Sequence, residues 1–245
     1  MNITLIGFGK VSYNIFKLVN SADINFVTSG ENRSDNTIDL IKKTNIEVYD
    51  SFSQAIEKSD IVISAVTPST ALEVAQNYAK YFKGIYLDLN NISPDTADKI
   101  NNVCENFVDG AIIGKIDSDN PTLFLSGKNA DKLLFLNEFL NVKIISDNVG
   151  DASKLKLLRS TYTKALSVLL IECYDLAQKL NLEDEFFSTL AITEGDEFRK
   201  KSMSRINNTL KSSKRKAEEL EEILNYFDDD DLDMIKTALD KLKQF

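Results

Sequence analysis

The sequence predicts an α/β fold: a doubly wound parallel sheet in the N-terminal part, followed by an all-α C-terminal part. Three observations carry this. Short apolar runs alternate with helix-period segments from Asn2 to Ser126, the rhythm of β–α–β units. A glycine turn, Gly7-Phe8-Gly9, joins the first run to the first helical segment. From Gly150 onward the apolar residues recur at helical spacing.

The elements follow in order. Asn2–Gly7 reads as a buried strand through Ile3, Leu5 and Ile6. Gly7-Phe8-Gly9-Lys10-Val11-Ser12 then opens a helix running to Val19. This is the dinucleotide fingerprint G-x-G-x-x-G with serine at the third glycine. Gly7 suits the tight turn, Gly9 a close approach of backbone to pyrophosphate, and Ser12 a close helix–strand contact. The next strand is Ile24–Thr28, followed by Thr28-Ser29-Gly30-Glu31-Asn32-Arg33-Ser34. Hydroxyls stand where an acid would take the ribose of NAD(H), and Arg33 lies just beyond. That suits a 2′-phosphate, so NADP(H) is expected over NAD(H). In the rival reading Glu31 takes the ribose and Arg33 is a solvated charge.

A helix over 36–44, a strand near Ile46–Tyr49 and a helix over Ser53–Glu57 come next. Asp60–Val66 is a continuous apolar run of the buried parallel type. Thr67-Pro68-Ser69 ends it and caps the helix Thr70–Tyr81, which Gly84 stops. In a doubly wound sheet this loop lies over the cofactor. Ile85–Leu89, the helix Asp95–Val103, and strands Phe107–Ile113 and Thr122–Ser126 complete the domain, expected over residues 1–149.

Residues 150–245 are expected to form a helical domain. Gly150–Leu180 reads as one helix, apolar on nearly every side and therefore buried. Lys156, Ser160, Thr163 and Ser167 form a polar stripe along it. A lysine there either reaches solvent or a carboxylate, or is one whose proton affinity burial lowers. After a break at Asn181–Asp184, helices are expected near Glu185–Leu190, Asp196–Lys211, Ser212–Phe227 and Asp231–Lys243. The acidic run Asp228–Asp231 reads as a turn and helix-start charge, since it lacks the spaced ligands and glycine of a calcium loop. So much helix with so thin a core is expected to pair with a second subunit, giving a homodimer.

Composition narrows the chemistry. The 245 residues carry a net charge of −9, which argues against nonspecific binding to nucleic acid or an anionic membrane. No apolar run reaches membrane-spanning length, and a strand starting at Asn2 leaves no room for a signal peptide, so a cytoplasmic setting is expected. Cys104 and Cys173 have no metal or redox spacing and read as buried thiols. There is no histidine. Ser-His-Asp and Cys-His catalysis are excluded, and no metal site is expected. The acid or base must be Lys, Asp, Glu, Tyr or Cys.

The order of motifs resembles the β-hydroxyacid dehydrogenase superfamily, closest to a branch with a 6-phosphogluconate-dehydrogenase-like NAD-binding domain and its own helical C-terminal domain. The resemblance rests on Gly7-Phe8-Gly9, Thr28-Ser29…Arg33-Ser34, Ser64-Ala65-Val66-Thr67, Tyr86–Pro94, Val108–Gly114, Gly150-Asp151-Ala152…Lys156 and Lys214–Glu222. It implies a Rossmann-type domain with cofactor contacts at Gly7, Phe8, Gly9, Lys10, Val11, Ser12, Thr28, Ser29, Arg33, Ser34, Val66, Thr67, Pro68 and Asn90. It also implies Lys156, six residues after Gly150, as the catalytic acid/base. The family's helper asparagine, one turn later, is here Ser160. The family's Asp-x-Ser-Thr-x-x-Pro is here Asp88–Pro94, with Asn91 in the substrate loop. Its Ser-Gly-Gly is here Ile113-Gly114-Lys115. The expected function is an NADP(H)-dependent oxidoreductase moving hydride between nicotinamide and a small hydroxy acid, carbonyl or imine. The altered substrate loops leave open a non-catalytic NADP(H) sensor. A decarboxylating sugar-acid dehydrogenase ranks lower for so short a chain without histidine.

Overall fold

The computed structural model describes residues 1–19, 21–118, 121–227 and 231–245. Asp228–Asp230, most of the expected acidic turn, lie outside the described residues. The chain divides into two compact units, Met1–Lys156 and Leu157–Phe245.

The first unit holds β1 (Asn2–Ile6), α1 (Lys10–Leu18), β2 (Asn25–Ser29), α2 (Asp35–Lys42), β3 (Glu47–Tyr49), α3 (Phe52–Glu57), β4 (Ile61–Ser64), α4 (Ala71–Tyr78), β5 (Ile85–Asp88), α5 (Pro94–Asn101), β6 (Phe107–Ile113), β7 (Thr122–Ser126) and β8 (Asn141–Ser146). The sheet order is β3-β2-β1-β4-β5-β6-β7-β8. The first six strands run parallel, β7 is antiparallel to β6, and β8 is parallel to β7. The strand order reverses direction between β1 and β4, which is where open α/β sheets bind ligands.

The sheet is buried on both faces, and the two-residue alternation of its strands sorts them. Ile61, Ile63, Ile85 and Leu87 pack into one core with Ile3, Leu5 and Val108. Val62 and Tyr86 face the other way, against Phe52, Ala75, Ala97 and Phe107. Ser51 accepts from the Gln54 amide to start α3, and Ser93 with Pro94 starts α5 in the same way.

Two segments depart from the expectation. A 3₁₀ stretch, Ala130–Glu138, and the strand β8 follow β7, where the sequence reading ended the sheet. β8 buries only Val142 while Lys143, Ile144 and Ile145 are exposed, so it shows no alternation to read. The helix expected from Thr70 to Tyr81 instead opens with the 3₁₀ turn Pro68–Thr70 and ends at Tyr78.

α6 (Asp151–Leu180) starts in the first unit and enters the second, which adds α7 (Glu183–Glu194), α8 (Phe198–Lys211), α9 (Ser213–Tyr226) and α10 (Asp233–Leu242). Asn181, in the left-handed conformation, ends α6. Val168 packs with Ala217, Leu220, Ile223, Leu239 and Leu242 in one core, and Leu170 and Ile171 pack with Ile206 in a smaller one. The expectation that α6 is buried all round is corrected. Leu158, Tyr162, Leu169, Leu176 and Leu180 are exposed. At about 100° per residue they share an arc of roughly 40°. Ser167, on the opposite side, is buried and bonds back to the Thr163 carbonyl. Cys104 is buried, but Cys173 is only partly so. No helix among the described residues is long and apolar enough to cross a membrane.

Candidate active site

The glycine turn sits at the end of β1, against the end of β4. Gly7 has φ +84°, and a Cβ there would lie 2.5 Å from the Ala65 carbonyl oxygen. Only glycine meets both conditions. A Cβ on Gly9 would meet nothing within 4 Å, so the backbone there faces open space. Gly9 caps α1 without a side-chain bond, and the first turn of α1 carries no acid. The turn therefore presents unblocked helix N–H groups, as a pyrophosphate requires. Ser12 is fully buried and donates to the Gly7 carbonyl, tying the helix to the turn. Phe8 offers only its backbone, because its ring is buried edge-on against Tyr13 and Phe16. Val11 packs on the same core. Lys10 pairs with Asp117 at 2.8 Å, linking the turn to the loop after β6.

At the end of β2 the Thr28 hydroxyl is fully buried and donates to the Leu5 carbonyl inside the sheet. Ser29 is buried too, and accepts from the Glu31 amide to shape the turn. Glu31 accepts from the Phe52 amide. Arg33 donates through Nε to the Glu31 carbonyl and lies 5.0 Å over the Phe52 ring. Its guanidinium is thus pre-oriented by a stacked aromatic. Ser34 is exposed and shares a hydrogen bond with Thr37.

At the ends of β4 and β5, Asn90, expected at the cofactor, also braces the sheet. It is buried. Its amide oxygen accepts from Val66 N at 2.6 Å, and its NH₂ donates to Asp88 Oδ2 and Ser64 Oγ. It thereby fixes the Val66-Thr67-Pro68 loop, whose Thr67 and Pro68 stay exposed. Asn91 is exposed beside it. Gly114 and Lys115 are exposed on a turn in which Ser118 donates to the Lys115 carbonyl.

The start of α6 is docked on the same sheet. Asp109, buried in β6, accepts from Ser153 N at 2.9 Å and Ser153 Oγ at 2.7 Å, and from Ser126 Oγ at 3.2 Å. Ser126 in turn accepts from Ala152 N. These bonds explain why the first unit extends to Lys156 rather than ending at residue 149. Asp88 pairs with Asp109 in the β5–β6 register. The Lys156 ammonium acts on both carboxyl groups, favouring their ionised forms. Among the described residues no cluster of three metal-ligating side chains forms.

Comparison with known proteins fits this geometry. Residues 2–89 match the family model for NADP oxidoreductase, coenzyme F420-dependent. The chain is 43% identical over 226 residues to an uncharacterized 28.5 kDa protein in the 7S RNA 5′ region of Methanothermus fervidus, covering 91% of this chain and 89% of that one. It is 33% identical, with a TM-score of 0.88, to the conserved protein MTH1747, whose structure is similar to 3-hydroxyacid dehydrogenases. That match covers 100% of this chain and 96% of the other. The chain belongs to this 3-hydroxyacid dehydrogenase-like family. The fold is shared with 3-hydroxyisobutyrate dehydrogenase of Mycobacterium tuberculosis at 15% identity, TM-score 0.77 and coverage of 100% and 93%. It is also shared with an imine reductase from Myxococcus stipitatus seen with NADP⁺, at 17% identity, TM-score 0.60 and coverage of 88% and 78%.

In this member of the hydroxyacid dehydrogenase-like family, Lys156 is half-buried rather than buried. The buried lysine of α6 is Lys164, in the helical unit, where it donates to Ser160. Ser160 is therefore bonded within its own unit. The site residues that pattern reading missed are Asp88, Asp109, Ser126 and Ser153. The two acids left a signal, since a single acid closes or interrupts the otherwise apolar runs Ile85–Asp88 and Phe107–Ile113; the two serines left none.

Burial dominates the titration of the acids. It pushes the Asp88 carboxyl up to about 7, against hydrogen bonds from Asn90 that favour the ionised form. Asp109 moves up for the same reason, against its bonds from Ser153 and Ser126. A carboxyl raised in the folded state favours folding below its unfolded value and weakens it as pH climbs to the folded one. Wild-type stability in urea should therefore fall between about pH 4 and pH 7, by at most about 1.4 kcal/mol per pH unit from Asp88. Asp88→Asn should flatten that slope, leaving the share of Asp109. Parallel slopes for the two proteins would contradict the assignment.

Proposed function

We propose that the protein is an NADP(H)-dependent oxidoreductase acting on a small hydroxy acid, carbonyl or imine, with Lys156 as its general acid and base. One observation carries the reading. The first turn of α6 is bonded to β6 and β7, so that the Lys156 ammonium bears on Asp88 and Asp109 in the sheet that carries the glycine turn.

The residues present fit a dinucleotide. Gly7, Gly9 and the first turn of α1 would receive its pyrophosphate, and the Val66-Thr67-Pro68 loop would border its nicotinamide. Bound there, NADPH supplies hydride. The chain supplies the proton. In reduction the Lys156 ammonium gives one to the substrate oxygen or nitrogen as it gains charge, and in oxidation the neutral amine takes it back. Lys115, exposed on its turn, and Asn91 are the candidates to orient a polar substrate group.

Arg33 supports NADP(H) over NAD(H), since its guanidinium is held by Phe52 and the Glu31 carbonyl. Arg33→Ala should weaken NADPH binding by about tenfold or more, the worth of a lost charge-assisted hydrogen bond, and leave NADH binding nearly unchanged. Equal losses for the two cofactors, measured by calorimetry, would reverse the preference. The activity itself is tested by NADPH oxidation across small aldehydes, keto acids and imines. Tight NADPH binding with no turnover on any of them would favour a sensor.

We also propose a homodimer through the helical unit, in a cytoplasmic setting. The support is the exposed apolar stripe on α6, Leu158, Tyr162, Leu169, Leu176 and Leu180, opposite its buried polar side. A stripe of this spacing suits a matching helix from a second copy. Leu169→Glu should convert a dimer to a monomer in light scattering, and a wild-type chain that runs as a monomer would remove the proposal.

A further inference from the structure

The helical unit brings Lys164, Arg215 and Arg205 close enough to act on Lys216, with the carboxylate of Glu219 among them. Lys164, only 5% exposed, donates to Ser160 Oγ and lies 2.9 Å from Glu219. Arg215 shares Glu219 at 3.4 Å. Lys216 has no salt-bridge partner among the described residues. Its ammonium donates instead to the hydroxyl of fully buried Thr209, at 2.7 Å, and that hydroxyl is already bonded to the Arg205 carbonyl. Burial holds Lys216 below the usual lysine range, and Lys164, Arg215 and Arg205 push the same way against Glu219. Arg205 completes the group: its Nη1 is buried and has no hydrogen-bond acceptor among the described residues.

Such an arrangement is unfavourable as it stands. A buried guanidinium N–H without an acceptor forfeits its hydration, and the buried Lys164 and half-buried Lys216 and Arg205 repel one another. Hydroxyls of Ser160 and Thr209 moderate the charge but do not neutralise it. The missing component is negative, and the donors on offer, a planar guanidinium and ammonium groups, are those that recognise oxyanions. Lys164, Lys216 and Arg205 leave an excess of about two positive charges over Glu219, which favours a multiply charged one.

We propose that Arg205, Lys216 and Lys164 form a binding site for a multiply charged oxyanion, of which inorganic phosphate is the simplest. The site is built wholly from α6, α8 and α9 of the helical unit. It does not depend on Lys156 turning over a substrate, and failure of either reading leaves the other standing. The ligand is either a phosphoryl or polycarboxylate group of a substrate or a free effector anion, and the assays separate the two.

The test uses the full chain with NADPH saturating, so that the glycine turn and Arg33 are already occupied. Phosphate should raise the melting temperature above that in chloride at equal ionic strength, and calorimetry should give a saturable site. Arg205→Gln and Lys216→Gln should each weaken phosphate binding by about tenfold or more. Arg33→Ala should not. In chloride alone Arg205→Leu should melt no lower than wild type, because it removes an unsatisfied buried donor. Should Arg205→Gln not fold, Lys216→Gln decides. Phosphate affinity unchanged in Lys216→Gln, no phosphate effect in wild type, or a marked loss of stability in Arg205→Leu each overturn the proposal. Competition by phosphate against the substrate marks a substrate subsite, and activation or inhibition without competition marks an effector site. Both outcomes support an oxyanion site.

Discussion

Lys156→Ala is expected to lower turnover by about 10²–10⁴-fold, the range supplied by a positioned general acid. Affinity for NADPH should stay within about threefold, since the groups assigned to the cofactor are the backbone N–H groups of the glycine turn and Arg33. A loss in kcat with NADPH affinity kept is the pattern of an interaction made in the transition state. Lys156→Arg sharpens the test. It retains a positive charge near Asp88 and Asp109, but a guanidinium does not release its proton in the working range. Turnover should fall nearly as far as in the alanine variant. The Asp88 carboxyl, followed by carbon NMR, should rise in Lys156→Ala and stay near its wild-type titration in Lys156→Arg, because the lysine charge is one of the influences holding it down. Wild-type-like turnover in Lys156→Ala would refute the assignment of Lys156. A normal rate in Lys156→Arg would show that charge alone suffices and that the proton comes from elsewhere.

The sheet and the glycine turn were legible because local pattern encodes them. Ile61-Val62-Ile63 is apolar throughout since both faces of β4 are covered, and Gly7 is glycine because its φ and the Ala65 carbonyl leave no alternative. What pattern did not show is which way a side chain turns in a strand buried on both faces. Thr28 thus read as a cofactor contact, and its bond to Leu5 in the neighbouring strand did not show. The docking of α6 was hidden for a different reason. The Asp109–Ser153 bond spans 44 positions, and contacts of that separation leave no periodic trace. Periodicity also marked Lys156 and not Lys164, because Lys164 meets its carboxylate partner from α9, a contact 55 positions away in the chain. The apolar outer side of α6 read as core since leucine spacing is the same for a buried and for an exposed helix face.

Asp109→Ala is expected to be the most destabilising of these substitutions. The carboxylate is 1% exposed and accepts three hydrogen bonds, from Ser153 N, Ser153 Oγ and Ser126 Oγ. It also stands at the start of a 30-residue helix, where negative charge meets the positive end of the helix dipole. Alanine leaves three buried donors without this acceptor. Bonds to a charged group contribute about 1.5–3 kcal/mol each, but the burial that raises the Asp109 carboxyl offsets part of that sum. A net loss of about 2–4 kcal/mol follows, which for a chain of this size lowers the melting temperature by roughly 5–15 °C. Asp109→Asn keeps one acceptor oxygen and should lose about half as much. The fold is only the first readout. Lys156 follows Ser153 by a single turn, so loosening the helix start displaces the proton donor. At temperatures where Asp109→Asn remains folded, its turnover should drop at least about tenfold with NADPH affinity retained, since small misplacements of a reacting group are costly. If Asp109→Ala melts with wild type, the start of α6 is held by Gly150 and Ser126 without it. If it melts early but the surviving fold turns over normally, Asp109 supports the sheet and not the lysine.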